Sequence, residues 1–343
     1  MQFLENYSLR SLNTFGIEAR AAFFSVAANM DELIEALEYA HARNKQLFVL
    51  GGGSNILLLG DTDRFVLKNN LHGIEVLEEN REIVRLRVGG GVVWHDLVSY
   101  AVEKGWGGVE NLSLIPGTVG AAPIQNIGAY GTEIRDVFEN LEAINLSTGS
   151  MRVFSHADCR FGYRDSIFKR EEKGRWIIIS VTFRLTKTAQ VNTSYGDIRE
   201  VLRTMGAEHP GIADVSRAVI QIRRSKLPDP AEIGNAGSFF KNPEVPQEVF
   251  LGLKERYPTI PGYHTGSGEV KIPAGWLIES NGWKGYREGN VGVHDRQALV
   301  IVNHGGATGD EVRGLASRII ESVEEKYGIR LHPEVNYIFG SVS

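Results

Sequence analysis

The sequence predicts a mixed α+β protein with more than one domain, and three observations lead to this prediction. The chain has 343 residues, which is too long for one core at roughly 150 residues per domain. Short alternating strand patterns are interleaved with amphipathic helical patterns along its length. Glycine accounts for 39 residues, well above the ~7 per cent of an average protein. Many segments must therefore turn tightly or approach another group closely.

Charge and composition argue against several classes of protein. Lys and Arg number 37 against 42 Asp and Glu, so there is no basic field that would attract nucleic acid. No apolar run reaches the ~18 residues of a membrane helix, and the N-terminal segment lacks the apolar stretch of a signal peptide. The one cysteine, Cys159, excludes an intramolecular disulfide and fits a reducing compartment. We expect a monomeric cytoplasmic protein that binds neither nucleic acid nor membrane.

The first part of the chain predicts a β–α–β unit. A strand is expected over residues 23–28 and another over 46–50, and between them Asn29 and Glu32 form a capping box for a helix. The buried face of this helix is predicted to be Leu33, Ile34, Leu37 and Ala40. Residues 51–55, GGGSN, follow the second strand directly. Ligands in α/β proteins tend to bind at such strand ends.

The middle of the chain continues the alternation of strands and helices. Residues 84–88 predict a strand with one solvated face, and a helix over 94–104 ends before Gly105. Residues 114–131, LIPGTVGAAPIQNIGAYG, fit neither periodicity, and a loop this apolar needs a partner. Further strands are expected at 141–146 and 176–185, and the next helix ends in the cations Arg223, Arg224 and Lys226.

The last part of the chain predicts a second mixed region. A short helix is expected over 273–281 and a buried strand over 298–302. A long helix then begins at a capping box of Thr308 and Glu311 and stops at Gly328. Its buried face is predicted to be Val312, Leu315, Ile319 and Val323.

Several common catalytic motifs are absent from the sequence. It contains no phosphate-binding G-x-x-x-x-G-K-[ST], no G-x-G-x-x-G, no H-E-x-x-H and no G-x-S-x-G. A Rossmann-type site therefore has no support, and no metal site is expected. Uncharged glycine loops combined with later cations, amides and tyrosines would suit a nucleotide-sized ligand. Composition alone favours the simpler interpretation that these glycines only make turns.

Seven sequence blocks resemble one enzyme family. They are NTFG at 13–16, the segment at 114–131, RFGYRDS at 160–166, KLPDP at 226–230, GNAGSFFKNP at 234–243, AGWLIE at 274–279 and PEV at 333–335. In this order, and over almost the whole chain, they resemble UDP-N-acetylenolpyruvoylglucosamine reductases of the longer subtype. The resemblance implies the three-domain FAD-binding fold of the p-cresol methylhydroxylase and vanillyl-alcohol oxidase type. It also implies NADPH-dependent reduction, through FAD, of UDP-N-acetylglucosamine enolpyruvate to UDP-N-acetylmuramate in peptidoglycan precursor synthesis.

The resemblance also implies a division into domains. Residues 1–69 with 333–343 would form the first FAD-binding subdomain, and residues 70–213 the second. Residues 214–332 would bind the UDP-sugar. Breaks in the sequence pattern near residues 70 and 214 agree roughly with this division.

Three catalytic residues follow from the resemblance. Hydride would pass from flavin N5 to C3 of the enolpyruvyl group, and Ser238 would protonate C2. Arg164 and Glu334 would stabilise the enolate, a role that suits a cation and a hydrogen-bonding group. Without the resemblance, the simplest interpretation of Ser238 is a serine in a turn. Arg164 would then form a surface ion pair, and Glu334 would be an ordinary solvated glutamate.

The contacts to cofactor and substrate are carried over in the same way. The resemblance implies that the FAD contacts are Gly51, Gly52, Gly53, Ser54, Asn55, Pro116, Gly117, Gly120, Ile124, Gly128, Gly131 and Tyr163. The implied substrate contacts are Tyr195, Lys226, Asn242, Tyr263, Lys284 and Gln297, with Tyr263 in a mobile loop over residues 261–268. Related oxidases often carry a histidine where this chain has Ser54 or Asn55, so we expect FAD to be bound non-covalently.

Two alternatives remain open at this point. The chain could be an FAD-linked oxidase of the same fold that uses oxygen, although GSFFKN and the tyrosine loop argue against this. It could also be a catalytically silent UDP-sugar-binding protein, which would not need Arg164, Ser238 and Glu334 together.

Overall fold

The computed structural model describes residues 1–188, 190–266 and 268–340. The chain divides into two compact units. Unit 1 comprises Met1–Tyr7, Ala21–Gly52 and Asp63–Ser225, and unit 2 comprises Ser8–Arg20, Gly53–Thr62 and Lys226–Ser343. The chain passes from unit 1 to unit 2 three times, and one of these passages, between Gly52 and Gly53, lies inside the predicted ligand loop. Residues 214–225 belong to unit 1 in this division, and the three-domain division stays a prediction.

The described elements alternate along the chain as the sequence predicts. The strands are β1 (Leu4–Ser8), β2 (Arg20–Ala27), β3 (Leu47–Leu50), β4 (Ile56–Leu58), β5 (Thr62–Asn69), β6 (Ile74–Glu79), β7 (Ile83–Gly89), β8 (Gly128–Ala129), β9 (Thr132–Glu133), β10 (Phe138–Asn145), β11 (Met151–Ser155), β12 (Trp176–Thr186), β13 (Gly234–Asn235), β14 (Glu244–Pro246), β15 (Tyr263–His264), β16 (Glu269–Lys271), β17 (Arg287–Glu288), β18 (Val291–Val293), β19 (Ile301–Asn303) and β20 (Asn336–Ile338). The helices are α1 (Met30–Ala42), α2 (Trp94–Glu103), α3 (His156–Cys159), α4 (Gly196–Thr204), α5 (Ile212–Lys226), α6 (Gln247–Arg256), α7 (Ala274–Ser280) and α8 (Gly309–Tyr327).

The first sheet of unit 1 has the strand order β1-β2-β5-β3, with β3 and β5 parallel. Helix α1 is the predicted crossover, and the Asn29 side chain accepts a hydrogen bond from the Glu32 backbone N–H at its start. The buried residues of α1 are Leu33, Ala36, Leu37 and Ala40. The prediction for Ile34 is wrong, because its side chain is 47% exposed and Ala36 occupies the buried face instead.

The second sheet of unit 1 is antiparallel, with the strand order β11-β10-β12-β7-β6. The alternation in β7 is confirmed, because Val84, Leu86 and Val88 are buried in the core that also contains residues of α2. On the other face Arg85 forms an ion pair with Glu139. Cys159 is buried in the same core, and burial raises the pKa of its thiol to about 12.

A smaller core in unit 1 joins helices α4 and α5. Ile198 and Leu202 of α4 pack in one cluster with Val215, Val219 and Ile222 of α5, and Tyr130 packs against this cluster from the side. The predicted helix that ends in cations is therefore confirmed as α5, which extends to Lys226. Its packing places Arg223 close to the apolar loop of residues 114–131.

Unit 2 contains three small sheets and the long helix α8. The strand orders are β13-β19-β18-β17 and β14-β16-β15, and β20 pairs in parallel with β4. The capping box of Thr308 and Glu311 is confirmed, and Gly328 ends α8 in the left-handed conformation. The predicted strand over 298–302 is observed as β19, which begins only at Ile301. Ala298 and Val300 are buried as predicted, but they precede the residues that pair with β18.

No helix in the described parts of the chain is long and apolar enough to cross a membrane. Among the same residues, no group of three or more His, Cys, Asp or Glu side chains could hold a metal ion.

Candidate active site

Arg164 lies at the tip of a tight turn in unit 1. Gly162 and Asp165 pair across this turn, with backbone bonds of 2.9 and 3.2 Å, so that Tyr163 and Arg164 occupy its two central positions. Arg164 has φ +52°, in the left-handed region that favours glycine at this turn position. The conformation costs a non-glycine residue roughly 1–2 kcal/mol. Strain of this kind is typical of functional sites.

The side chain of Arg164 extends to the hairpin of β8 and β9. Its Nη2 donates to the Gly128 carbonyl, and a Cβ added at Gly128 would lie 2.9 Å from Arg164 Nη1. Glycine at position 128 therefore makes room for the guanidinium. The ring of Tyr163, which is 37% exposed, lies with its centroid 5.6 Å from the guanidinium carbon.

A second arginine, Arg223, supports the apolar loop. Its Nε donates to the Leu114 carbonyl at 3.2 Å, and Leu114 N–H donates to His95 Nδ1 at 3.0 Å. Burial is the main effect that lowers the pKa of Arg223, and the positive charge of Arg164 lowers it further. Burial also lowers the pKa of His95 and raises the pKa of Tyr130, which hydrogen-bonds to Arg223. Two mutually repelling guanidinium groups in one unit favour the approach of an anion.

Ser238 lies in unit 2 on a turn whose neighbours are fixed. Gly237 N–H donates to Asn235 Oδ1 at 2.9 Å, and Phe239 N–H donates to the Leu299 carbonyl at 2.8 Å. Asn235 and Phe239 are buried, whereas Ser238 itself is exposed. The chain therefore presents the hydroxyl from a rigid support, as the general acid of a reaction requires.

Glu334 is held directly beside this turn. Its N–H donates to the Phe239 carbonyl at 2.8 Å. The same two segments are also joined by a bond of 2.9 Å from Lys241 N–H to the His332 carbonyl. Phe240 and Pro333 form the bridge between these bonds. The structure thus brings Ser238 and Glu334, two predicted catalytic residues that are far apart in the sequence, onto one short ladder.

The two predicted cofactor loops meet within unit 1. A Cβ at Gly51 would lie 2.7 Å from Thr118 Oγ1, and a Cβ at Gly52 would lie 2.8 Å from Gly117 Cα. Gly120 N–H donates to the Gly90 carbonyl at 2.8 Å, which ties the second loop to the end of β7. Gly52 therefore does more than make a turn, because the Gly117 backbone approaches too closely for a side chain, whereas at Gly51 the close atom is the Thr118 hydroxyl.

The other predicted cofactor residues lie along the same loops. Pro116, Ile124 and Gly131 are exposed, and Gly131 follows Tyr130 in a turn where both residues have positive φ. Gly53, Ser54 and Asn55 lie on the unit 2 side of the chain crossing. Gly53 has φ +64°, in the left-handed region that glycine adopts without strain.

The predicted substrate residues are divided between the two units. Tyr195 lies in unit 1 at the start of α4, with its ring edge-on to Tyr130 at 5.6 Å. The others lie in unit 2, namely Lys226, Asn242, Tyr263, Lys284 and Gln297. Tyr263 is 63% exposed on β15, in the predicted mobile loop, whose Ser267 lies outside the described residues.

Asn242 and Lys284 are among the substrate residues that make hydrogen bonds within unit 2. Asn242 Oδ1 accepts a hydrogen bond from Ala274 N–H at 2.9 Å and so caps the start of α7. Lys284 Nζ donates to Glu279 Oε1 at 2.8 Å. These contacts fix the two side chains in unit 2.

Sequence reasoning missed two residues of this region. From the sequence, Arg223 is predicted only as a cation that suits a helix end, although it lies three residues before the KLPDP block. Lys68, at the end of β5, donates from Nζ to the Gly51 carbonyl at 3.2 Å, and burial lowers its pKa. The signal in the sequence is a lysine that directly follows the apolar run of residues 65–67.

Family models match both halves of the chain. Residues 229–338 match a model described as UDP-N-acetylenolpyruvoylglucosamine reductase, C-terminal domain. Residues 21–155 match a model described as FAD binding domain. A UDP-N-acetylenolpyruvoylglucosamine reductase of Amoebophilus asiaticus is 52% identical, over 98% of this chain and 100% of the relative. One of Chromobacterium violaceum is 49% identical, over 97% of this chain and 98% of the relative.

The chain belongs to the UDP-N-acetylenolpyruvoylglucosamine reductase family. The crystal structure of a family member from Thermus caldophilus has a TM-score of 0.66 at 25% identity and covers 98% of both chains. A solvent-stable cholesterol oxidase shares the fold, with a TM-score of 0.50 at 11% identity over 97% of this chain and 86% of that chain. The predicted α+β FAD-binding fold, which is not a Rossmann fold, is confirmed. The protein is an FAD-binding oxidoreductase.

Proposed function

We propose that this reductase catalyses the NADPH-dependent reduction of UDP-N-acetylglucosamine enolpyruvate to UDP-N-acetylmuramate in peptidoglycan precursor synthesis. The observation that carries the proposal is the ladder that joins the Ser238 turn to Glu334 through the 2.8 Å bond from Glu334 N–H to the Phe239 carbonyl. A general acid and a second acid on one rigid support suit proton delivery to a carbon atom. The names of the close relatives support the substrate.

Residues in both cofactor loops are suited to hold FAD. The close approach of the Gly52 and Gly117 backbones brings the two uncharged loops together, and the Lys68 ammonium donates to the Gly51 carbonyl. We propose that the backbone N–H groups of residues 51–55 hold the pyrophosphate and that residues 116–131 with Tyr163 enclose the flavin ring. When bound, FAD supplies the hydride that NADPH donates and that C3 of the enolpyruvyl group receives.

The proposed roles of the catalytic residues follow from the charge that develops in the substrate. Negative charge moves towards C2 and the carboxylate, where a guanidinium fork binds oxygen atoms in two-point geometry. Arg164 would hold this charge, and Glu334 would polarise the same intermediate. Ser238 would deliver the proton to C2. A serine hydroxyl is a weak acid, so its rigid turn and a stabilised oxyanion are necessary.

The substrate contacts are proposed from side-chain chemistry. A diphosphate requires cations and neutral donors, which Lys226, Lys284, Asn242, Tyr195 and Tyr263 provide. Gln297 would face the uracil, and the exposed loop of Tyr263 would close over the substrate. The cytoplasmic location and the monomeric state remain predictions from the sequence.

Replacing Lys68 with methionine is expected to weaken FAD binding by about tenfold, which corresponds to about 1.4 kcal/mol. Methionine keeps the aliphatic length but removes the positive charge and the bond to the Gly51 carbonyl. The Kd is measured by flavin fluorescence on apoprotein titrated with FAD. Lys104→Met, at an exposed lysine after α2 in the same unit, is the matched control and should leave the Kd unchanged. Equal values for both variants would remove Lys68 from the cofactor site.

The absorbance of the flavin tests the whole reaction. Under anaerobic conditions, NADPH should bleach the yellow colour, and UDP-N-acetylglucosamine enolpyruvate should restore it. Recovery only after air is admitted would show an oxidase and remove the support for the substrate residues. Bleaching by NADPH that neither the enolpyruvyl sugar nor air reverses would also contradict the proposed reductase activity.

A further inference from the structure

Asn55 contacts the main chain of Glu334 directly. Its side-chain Nδ2 donates to the Glu334 carbonyl at 3.3 Å, within unit 2. In return, the Asn55 carbonyl accepts from the backbone N–H and from the side-chain Nδ2 of Asn336, each at 3.1 Å. Asn55 is therefore joined by three hydrogen bonds to the segment on either side of residue 335.

These bonds start a parallel strand pair. Asn55 directly precedes β4, and Asn336 begins β20, where it pairs with Ile56. Both strands thus begin immediately after a loop that the proposed function uses, namely the glycine loop and the PEV segment. Within unit 2, the register between β4 and β20 fixes how residues 53–55 and 333–335 lie relative to each other.

The Glu334 peptide groups are consequently held on both sides. The N–H is bound to the Phe239 carbonyl at 2.8 Å, and the carbonyl is bound by Asn55. Because peptide groups are planar, fixing the groups before and after Glu334 fixes its φ and ψ and therefore the direction of its Cα–Cβ bond. The Phe239 carbonyl thus binds the peptide group before Glu334, and the Asn55 amide binds the peptide group after it.

We propose that Asn55 is a positioning residue that acts through Glu334. The resemblance implies that Asn55 belongs to the loop that contacts the FAD pyrophosphate, whereas its side-chain Nδ2 donates to the main-chain carbonyl of Glu334, the proposed acid. The inference rests on the proposed role of Glu334. It requires Asn55 to serve the step in which the substrate is reduced and protonated, and not the reaction with NADPH.

The test uses the holoenzyme of Asn55→Ala and Asn55→Asp. The aspartate variant keeps the size of the side chain and replaces the donor with an oxygen, so it remains informative if the alanine variant does not fold. Anaerobic stopped-flow absorbance measures flavin reduction by NADPH and flavin reoxidation by the enolpyruvyl sugar separately. We expect reoxidation to slow by about 10- to 100-fold and reduction to change by less than about twofold.

Two further measurements separate this role from cofactor binding and from general stability. The Kd for FAD and the melting temperature of the apoprotein should stay close to the values of the unmodified enzyme. Asn336→Ala removes one bond to the Asn55 carbonyl and leaves the bond to Glu334, so it is the matched control and should reoxidise at the unmodified rate. A slowed reduction by NADPH, or a loss confined to FAD affinity, would overturn the proposal.

A double-mutant cycle with Glu334→Gln decides whether Asn55 acts through Glu334. Asn55→Ala should slow reoxidation by less than about twofold when it is added to Glu334→Gln, because coupled residues are not additive. Full additivity would overturn the positioning role. Unchanged reoxidation in Glu334→Gln alone would instead refute the role of Glu334 in the proposed function. Slow reoxidation in Glu334→Gln together with normal reoxidation in the Asn55 variants would refute only the role of Asn55.

Discussion

Replacing Ser238 with alanine is expected to lower turnover of the enolpyruvyl sugar by about 10²- to 10⁴-fold, the range that general acids contribute. The hydroxyl is the group that we propose to protonate C2, and alanine leaves no donor there. Flavin reduction by NADPH should keep its normal rate, because that reaction does not use the proton. The neighbours Asn235 and Phe239 are buried and hydrogen-bonded, so the turn should survive the substitution. Steady-state turnover and the two stopped-flow half-reactions measure these effects.

Ser147→Ala is the control for this experiment. Ser147 is also an exposed serine in a turn, but it lies just after β10 and is not one of the proposed site residues. Its substitution should leave both half-reactions unchanged. Normal turnover in Ser238→Ala would remove Ser238 from the mechanism, and loss of the NADPH reaction would point to a damaged cofactor site instead.

Local sequence signals predicted the helices well because each signal depends on few neighbouring residues. The capping box of Thr308 and Glu311 satisfies backbone groups within a single turn, so it needs no information from the rest of the fold. Ile34 shows the limit of this approach. Helix α1 has apolar residues on two overlapping faces, and its packing selects the face with the small Ala36.

The candidate site was predictable where a motif carried it and unpredictable where distant residues meet. The resemblance supplied Arg164, but only the backbone shows that Arg164 occupies a left-handed position that glycine would fill without strain. The bond from Arg223 to the Leu114 carbonyl joins residues more than one hundred positions apart. No local pattern encodes such a pair. The same is true of Asn55 and Glu334, which the chain brings together through two strands at opposite ends of the sequence.

Replacing Gly53 with alanine is expected to lower the free energy of unfolding of the apoprotein by about 3–5 kcal/mol, at the upper end for single substitutions. Gly53 has φ +64°, and an added Cβ would lie 1.9 Å from the Leu12 carbonyl oxygen. That carbonyl cannot move aside easily, because the adjacent Asn13 is buried and its side chain bonds to Leu9 and Ile17. The NTFG block thus forms the rigid wall against which the glycine loop packs. Urea unfolding followed by circular dichroism measures the change.

Gly16→Ala separates the steric cause of this loss from the conformational cause. Gly16 has nearly the same φ, +65°, but no atom lies within 4 Å of the position of its Cβ. Its substitution should cost only the left-handed strain of roughly 1–2 kcal/mol. The difference between the two variants then measures the collision with the Leu12 carbonyl. Equal losses would mean that the loop of residues 9–17 yields to the new methyl group, and the close packing at Gly53 would not be what makes glycine necessary there.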